Sequence, residues 1–106
     1  MDWIRIVESI EAAHAMLVEN QPKLLIVRGK RICLVRHNGQ VLAVQNSCTH
    51  SGGSLHLGTV NYLGEIVCPA HQYQFNLKNG RENGQRSNDL ECFAVRESED
   101  GVFILI

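Results

Sequence analysis

Apolar residues recur with a period of two over most of this chain, and a helical period shows only once. Trp3-Ile4-Arg5-Ile6-Val7, rich in aromatic and β-branched residues, predicts a first strand. Ser9 then stands where a helix N-cap would, and Ile10, Ala13, Leu17 and Val18 recur at helical spacing up to Asn20-Gln21-Pro22. That stripe is short, so residues 9–19 fit one short helix or an extended crossover. His14 falls on or beside the stripe and, with no second metal ligand nearby in sequence, reads as a structural histidine. From Lys23 the period shortens. The runs Leu24–Val27, Ile32–Val35 and Val41–Val44 predict three strands of an antiparallel meander, broken at Gly29 and at Asn38-Gly39. Asn-Gly between two apolar runs tolerates the positive φ of a type I′ hairpin turn. Further on, Tyr73–Leu77, Leu90–Val95 and Val102–Ile106 predict three more strands, and Gly84–Asp89 reads as a polar loop. The acidic run Glu97-Ser98-Glu99-Asp100 is a solvated hairpin tip. The fold class that follows is all-β and antiparallel.

Composition narrows this without changing it. A chain of 106 residues is expected to form a single domain, 1–106, burying roughly 65% of its unfolded surface. With 44% hydrophobic and 20% charged residues it is ordinary for a globular protein, neither disordered nor membrane-spanning. The start Met1-Asp2-Trp3 lacks the basic and apolar regions of a secretion signal, which predicts a cytoplasmic protein with no membrane partner. A formal net charge of −1 gives no reason to expect nucleic acid, and Arg28, Lys30, Arg31 and Arg36 read as a solvated strand face. Four cysteines in such a chain point to metal or redox chemistry more than to disulfides. Cys33 and Cys92, each inside an apolar strand, read as buried inert thiols.

The other two cysteines are different, because each has a histidine beside it. Cys48-Thr49-His50 opens one short loop and Cys68-Pro69-Ala70-His71 another, with 17 residues between His50 and Cys68. Gly52, Gly53, Gly58 and Gly64 fall within this region, as suits loops wrapped around something bulky, and a short strand is predicted only at Glu65-Ile66-Val67. In an extended segment residues i and i+2 project to one side about 6.6 Å apart, so Cys48 and His50 can face a common centre. Three chemistries compete for that centre. Structural zinc accepts two thiolates and two imidazoles, but its fingers group cysteine with cysteine and histidine with histidine. A cysteine nucleophile with a histidine base needs only one of the pairs. A two-iron, two-sulfide cluster with thiolates on one iron and imidazoles on the other uses both mixed pairs, each loop supplying one ligand per iron.

The pattern C-T-H, 17 residues, then C-P-A-H, with Gly52, Leu55, Gly58 and Gly80 around it, resembles the Rieske iron–sulfur signature. The resemblance extends over nearly the whole chain. It implies a Rieske-type antiparallel β-sandwich base domain with a small two-loop cluster-binding subdomain at about 46–75. It also implies one [2Fe-2S] cluster, with Cys48 and Cys68 on the inner iron and His50 and His71 on the outer one. His56, inside the gap, is then a surface residue, since the four ligand places are filled.

Departures from the family shape the functional expectation. The two extra cysteines that join the loops in respiratory-chain members correspond to Gly53 and Ala70, so that disulfide cannot form here. The serine and tyrosine hydroxyls that such members place near the cluster sulfurs correspond to Tyr73 and Phe75. Fewer donors to sulfur imply a potential near the low end of the range, roughly −150 mV. Many members carry glycine where Gln72 stands, so a positive φ there would strain this loop. The chain has no room for the separate iron domain of a Rieske oxygenase, which implies an electron carrier and not an enzyme. The resemblance thus implies a monomeric ferredoxin that takes electrons from a flavoprotein reductase and delivers them to a terminal oxygenase, Ser51, Gly52 and Gln72 forming its docking rim. The alternative is a small subunit of a larger reductase, such as a nitrite reductase. A zinc-stapled binding module is a third reading.

Overall fold

The computed structural model describes residues 1–106. Strand β1 (Trp3–Val7) leads through α1 (Ile10–Met16) into the hairpins β2 (Lys23–Val27), β3 (Lys30–His37) and β4 (Gln40–Gln45). After the first cysteine loop come β5 (Thr59–Val60), β6 (Glu65–Val67) and β7 (Gln74–Asn76), and the chain closes with β8 (Cys92–Phe93), β9 (Val95–Ser98) and β10 (Gly101–Leu105). All strand pairs within the three sheets are antiparallel: β1-β10-β9, β2-β3-β4-β8 and β5-β6-β7.

The near-continuous apolar runs of β3 and β4 have a structural cause. Both faces of their sheet are covered, and such strands need not alternate in polarity. On one face Ile32, Leu34, Val41 and Ala43 pack with Val7, Ala13, Leu17, Val102 and Ile104; on the other Cys33, Val35 and Val44 pack with Cys48, Leu55, Ile66, Cys68 and Phe75. The meander is therefore the central layer. The terminal strands and α1 lie to one side, and the cysteine loops with their own small sheet lie to the other.

The turns follow from local chemistry. Asn38 and Gly39 have φ of 51° and 75°, as the type I′ reading requires, and Arg28-Gly29 turns β2 into β3 the same way, with φ of 50° and 78°. Ser9 caps α1, its Oγ accepting from Ala12 N–H at 3.0 Å. The helix stops at Met16, short of Asn20, because the chain is drawn to the edge of β3, where Asn20 N–H donates to the Arg36 carbonyl. Ala13 and Leu17 are buried, whereas Val18 and His14 are exposed, so His14 is a surface residue and not part of the core. The strand expected over 90–95 is divided at Ala94: Cys92–Phe93 extends the central sheet beside β4, and Val95–Ser98 joins β10 in the outer one.

Candidate functional site

The two cysteine loops share a backbone design. Cys48 N–H donates to the Gly53 carbonyl at 2.9 Å, and the Cys48 carbonyl accepts from Gly52 N–H at 2.8 Å. In the second loop Cys68 N–H donates to the Tyr73 carbonyl at 2.8 Å, and the Cys68 carbonyl accepts from Gln72 N–H at 3.0 Å. Each loop closes with a left-handed residue four positions after its cysteine, Gly52 at φ 74° and Gln72 at φ 62°. Glycine takes that conformation freely; Gln72 takes it against the steric preference of an L-residue. The strain that the sequence made conditional on a positive φ is therefore present in the second loop.

This pair of turns sorts the four side chains by depth. Cys48 and Cys68 are 3% and 0% exposed and belong to the inner core, while His50 and His71 are exposed at the tip. The imidazole rings lie 5.0 Å apart at 77°. The loops approach each other closely: a Cβ on Gly53 would stand 3.6 Å from the Ala70 Cβ, within the range of bridged cysteines, so the two positions that carry the respiratory-type disulfide do face one another here.

The cysteines also differ electrostatically. Burial pushes the Cys68 thiol up, but backbone N–H of Ala70, the Ser51 hydroxyl, Cys48 and backbone N–H of His71 outweigh it and hold the group below its ordinary value. Ser51 Oγ lies 3.6 Å from Cys68 Sγ, a hydroxyl near sulfur that the comparison of Tyr73 and Phe75 with the respiratory family did not anticipate. Cys33, buried in the same core without such donors, is pushed up to about 12 by burial alone. Cys33 is thus the inert thiol expected. Cys92 is not its equivalent: the residue is exposed, because β8 is a two-residue strand at the sheet edge. Its thiol is raised by partial burial and by Asp89 and Glu91.

Several contacts that shape the site left no motif in the sequence. His56 is half-buried, its Nδ1 accepting from the side chain of buried Asn46 at 2.9 Å while its N–H donates to Asn46 Oδ1 at 2.9 Å, so it braces the first loop and does not lie free on the surface. Between the loops, where little regular structure beyond 65–67 was expected, β5 and the short 3-10 turn Leu55–Leu57 also form, and β5 pairs with β6, which in turn pairs with β7 beyond the second loop. The polar segment after β7 folds back over both loops. Thr49 Oγ1 donates to the Asn88 carbonyl at 2.5 Å, and the Arg86 guanidinium lies 3.8 Å from the centre of the Tyr73 ring. Tyr73 in turn stacks on His50, with centroids 4.0 Å apart and planes within 12°.

Two buried sulfurs, one of them beside the Ser51 hydroxyl, below two outward imidazoles form a donor set divided by depth. No three of the chain's His, Cys, Asp and Glu side chains converge as a lone metal ion would need. The arrangement fits the asymmetric ligation of a Rieske cluster. Its family model, the Rieske [2Fe-2S] domain, matches residues 7–94, and the chain belongs to that family.

Among curated proteins, the chain is similar to the ferredoxin component of the naphthalene 1,2-dioxygenase system of Pseudomonas putida, 33% identical over 76 residues, 71% of this chain and 72% of that protein. It is also 38% identical over 58 residues to a Rieske domain-containing protein of Homo sapiens, covering 52% of this chain but only 37% of the human one. The fold superposes on the ferredoxin of carbazole 1,9a-dioxygenase from Nocardioides aromaticivorans IC177 with a TM-score of 0.83 at 22% identity, covering 98% and 97% of the two chains. It superposes equally on a chain from a complex of reduced oxygenase and oxidized ferredoxin in carbazole 1,9a-dioxygenase, with a TM-score of 0.81, 23% identity and 96% and 91% coverage. A chain assigned as the NADH-dependent nitrite reductase small subunit of Mycobacterium tuberculosis matches at 0.82, with 18% identity and 99% and 96% coverage.

Proposed function

We propose that this chain is a cytoplasmic one-electron carrier, a single Rieske domain that accepts electrons from a flavin-dependent reductase and passes them to a terminal oxygenase. Cys48 and Cys68 would hold one iron of the cluster and His50 and His71 the other. The observation that carries the reading is geometric: two loops bring the buried Cys48 and Cys68 together beneath two exposed imidazoles whose centroids lie 5.0 Å apart, so that each loop offers one sulfur and one ring nitrogen to a shared group. The bound [2Fe-2S] group supplies the one-electron couple. The chain keeps both sulfurs buried, sets the Ser51 hydroxyl beside that of Cys68, and presents two imidazoles outward as the path to a partner. Loops 48–53 and 68–73 themselves contain no Asp, Glu, Lys or Arg, and the Arg86 guanidinium against Tyr73 brings a charge beside them.

The test is electron passage through the purified chain. With NADH and a flavin-dependent ferredoxin reductase, the chain should be reduced and then reoxidised by a substrate-loaded Rieske oxygenase, in catalytic cycles; failure to be reoxidised would remove the oxygenase from the proposal. The likeness to the nitrite reductase small subunit supports a second reading, permanent attachment to a larger enzyme. Native size separates the two, since a free carrier runs as a monomer and an orphaned subunit self-associates.

A further inference from the structure

Glu82 is wholly buried, yet it is a carboxylate. Its Oε2 accepts from Gly84 N–H at 2.7 Å and from Arg86 Nη2 at 2.9 Å, and its Oε1 accepts from Arg86 N–H at 2.7 Å and from Arg86 Nε at 3.2 Å. The two bonds from Nε and Nη2 fix the guanidinium as a planar fork, which is the geometry that arginine and not lysine can adopt, and the two backbone N–H groups hold the carboxylate in place. The guanidinium carbon Cζ lies over the Tyr73 ring, 3.8 Å from its centre, and Tyr73 lies nearly parallel to His50. The guanidinium and the His50 imidazole thus both lie against the Tyr73 ring, which links the Glu82–Arg86 pair to a residue proposed as an iron ligand. Cation and ring attract each other through the ring quadrupole, which holds Tyr73, and through it the plane of His50.

We infer that Arg86, anchored by Glu82, is a positioning residue that fixes the His50 ring through Tyr73 and raises the reduction potential of the bound group. This rests on the cluster reading above. A cation fixed near the redox group favours the reduced state, which carries the additional negative charge, and the guanidinium stays charged at every relevant pH. The Glu82 carboxylate, 2.9 Å from Nη2, offsets part of this effect, and removing the guanidinium alone therefore exposes the bound group to an uncompensated negative charge.

The experiment is potentiometric EPR on the loaded protein carrying R86Q, the double change E82Q/R86Q, or Y73L. Removing Arg86 alone leaves a buried carboxylate unpaired, so the double variant serves as the control that restores neutrality and packing. Both Arg86 variants should favour the oxidised form, the single change by threefold to tenfold, at most about 59 mV for a one-electron couple, and the double change by less. Y73L should alter the anisotropy of the reduced signal, because His50 loses the plane that orients it. A midpoint equal to wild type in both Arg86 variants, or a Y73L spectrum identical to wild type, would overturn the inference while the wild-type Rieske signal keeps the cluster reading intact. Absence of that signal from wild type would remove both.

Discussion

Individual residues set the quality of the two loops. Gln72 occupies a left-handed conformation that Gly52 occupies in the sister loop without cost. Gln72→Gly should therefore stabilise the protein by up to about 1 kcal/mol, the relieved strain exceeding the extra chain entropy; a denaturant midpoint raised at constant slope would show it, and a lowered midpoint would mean the Gln72 side chain contributes more than its backbone costs. Ser51 supplies the hydroxyl nearest to Cys68 Sγ. Donors to sulfur stabilise the reduced form, so Ser51→Ala should lower the reduction midpoint while leaving the iron content unchanged. At this scale the convergence of Cys48, His50, Cys68 and His71 on one site was legible, because two mixed Cys–His pairs are a rare spacing. Ser51 as a donor, Asn46 behind His56 and the fork of Glu82 and Arg86 were not, because each acts through a contact that folding creates and no short motif records. The exposure of Cys92 was missed for a similar reason: an apolar run shows a strand but not that the strand ends one residue past the thiol.

At the scale of elements, the device that matters is the return of segment 82–90 over the cysteine loops. Its anchor is the Glu82 carboxylate, which the Arg86 side chain, against the opposing effect of burial, and the N–H groups of Gly84 and Arg86 hold at about 2, well below its ordinary 4.5. A carboxylate depressed in the folded state contributes stability that is present above its ordinary value and is lost as pH falls toward the folded one. The protein should accordingly lose stability between about pH 4.5 and pH 2 through this group, and Glu82→Gln should flatten that part of the acid-unfolding profile; an unchanged profile would remove Glu82 from the account. Gly58 marks a second constraint. A Cβ there would stand 2.0 Å from the Val67 carbonyl oxygen, although the backbone φ is an ordinary −87°. Gly58→Ala should cost about 3 kcal/mol or more by forcing β6 away from the first loop, read as a lower unfolding midpoint. The strands of the meander were legible from apolar runs and an Asn-Gly turn. The pairing of β5 with β6 was not, since two-residue strands carry no period, and the choice between helix and extended crossover over 9–19 was settled only by the fold, which has a helix as far as Met16 and then an extended stretch that brings Asn20 to the Arg36 carbonyl.

Over the whole molecule, the central sheet is the structural reason the site exists where it does. Residues of β3 alternate between two cores, so one face of the sheet rests on the terminal strands and the other supports Cys48 and Cys68. The antiparallel fold was readable because hydrophobic period and turn chemistry agree along the chain. Its three-layer stacking was not, because a run of apolar residues says that both faces of a strand are buried without saying against what. The direct test of the account is an absorption and EPR spectrum of the freshly purified protein, as isolated and after dithionite, with iron and acid-labile sulfide counted on the same sample. The account predicts two irons and two sulfides per chain and a rhombic Rieske signal on reduction, both lost when Cys48 or Cys68 is replaced by serine. A colourless protein holding one zinc per chain would contradict it.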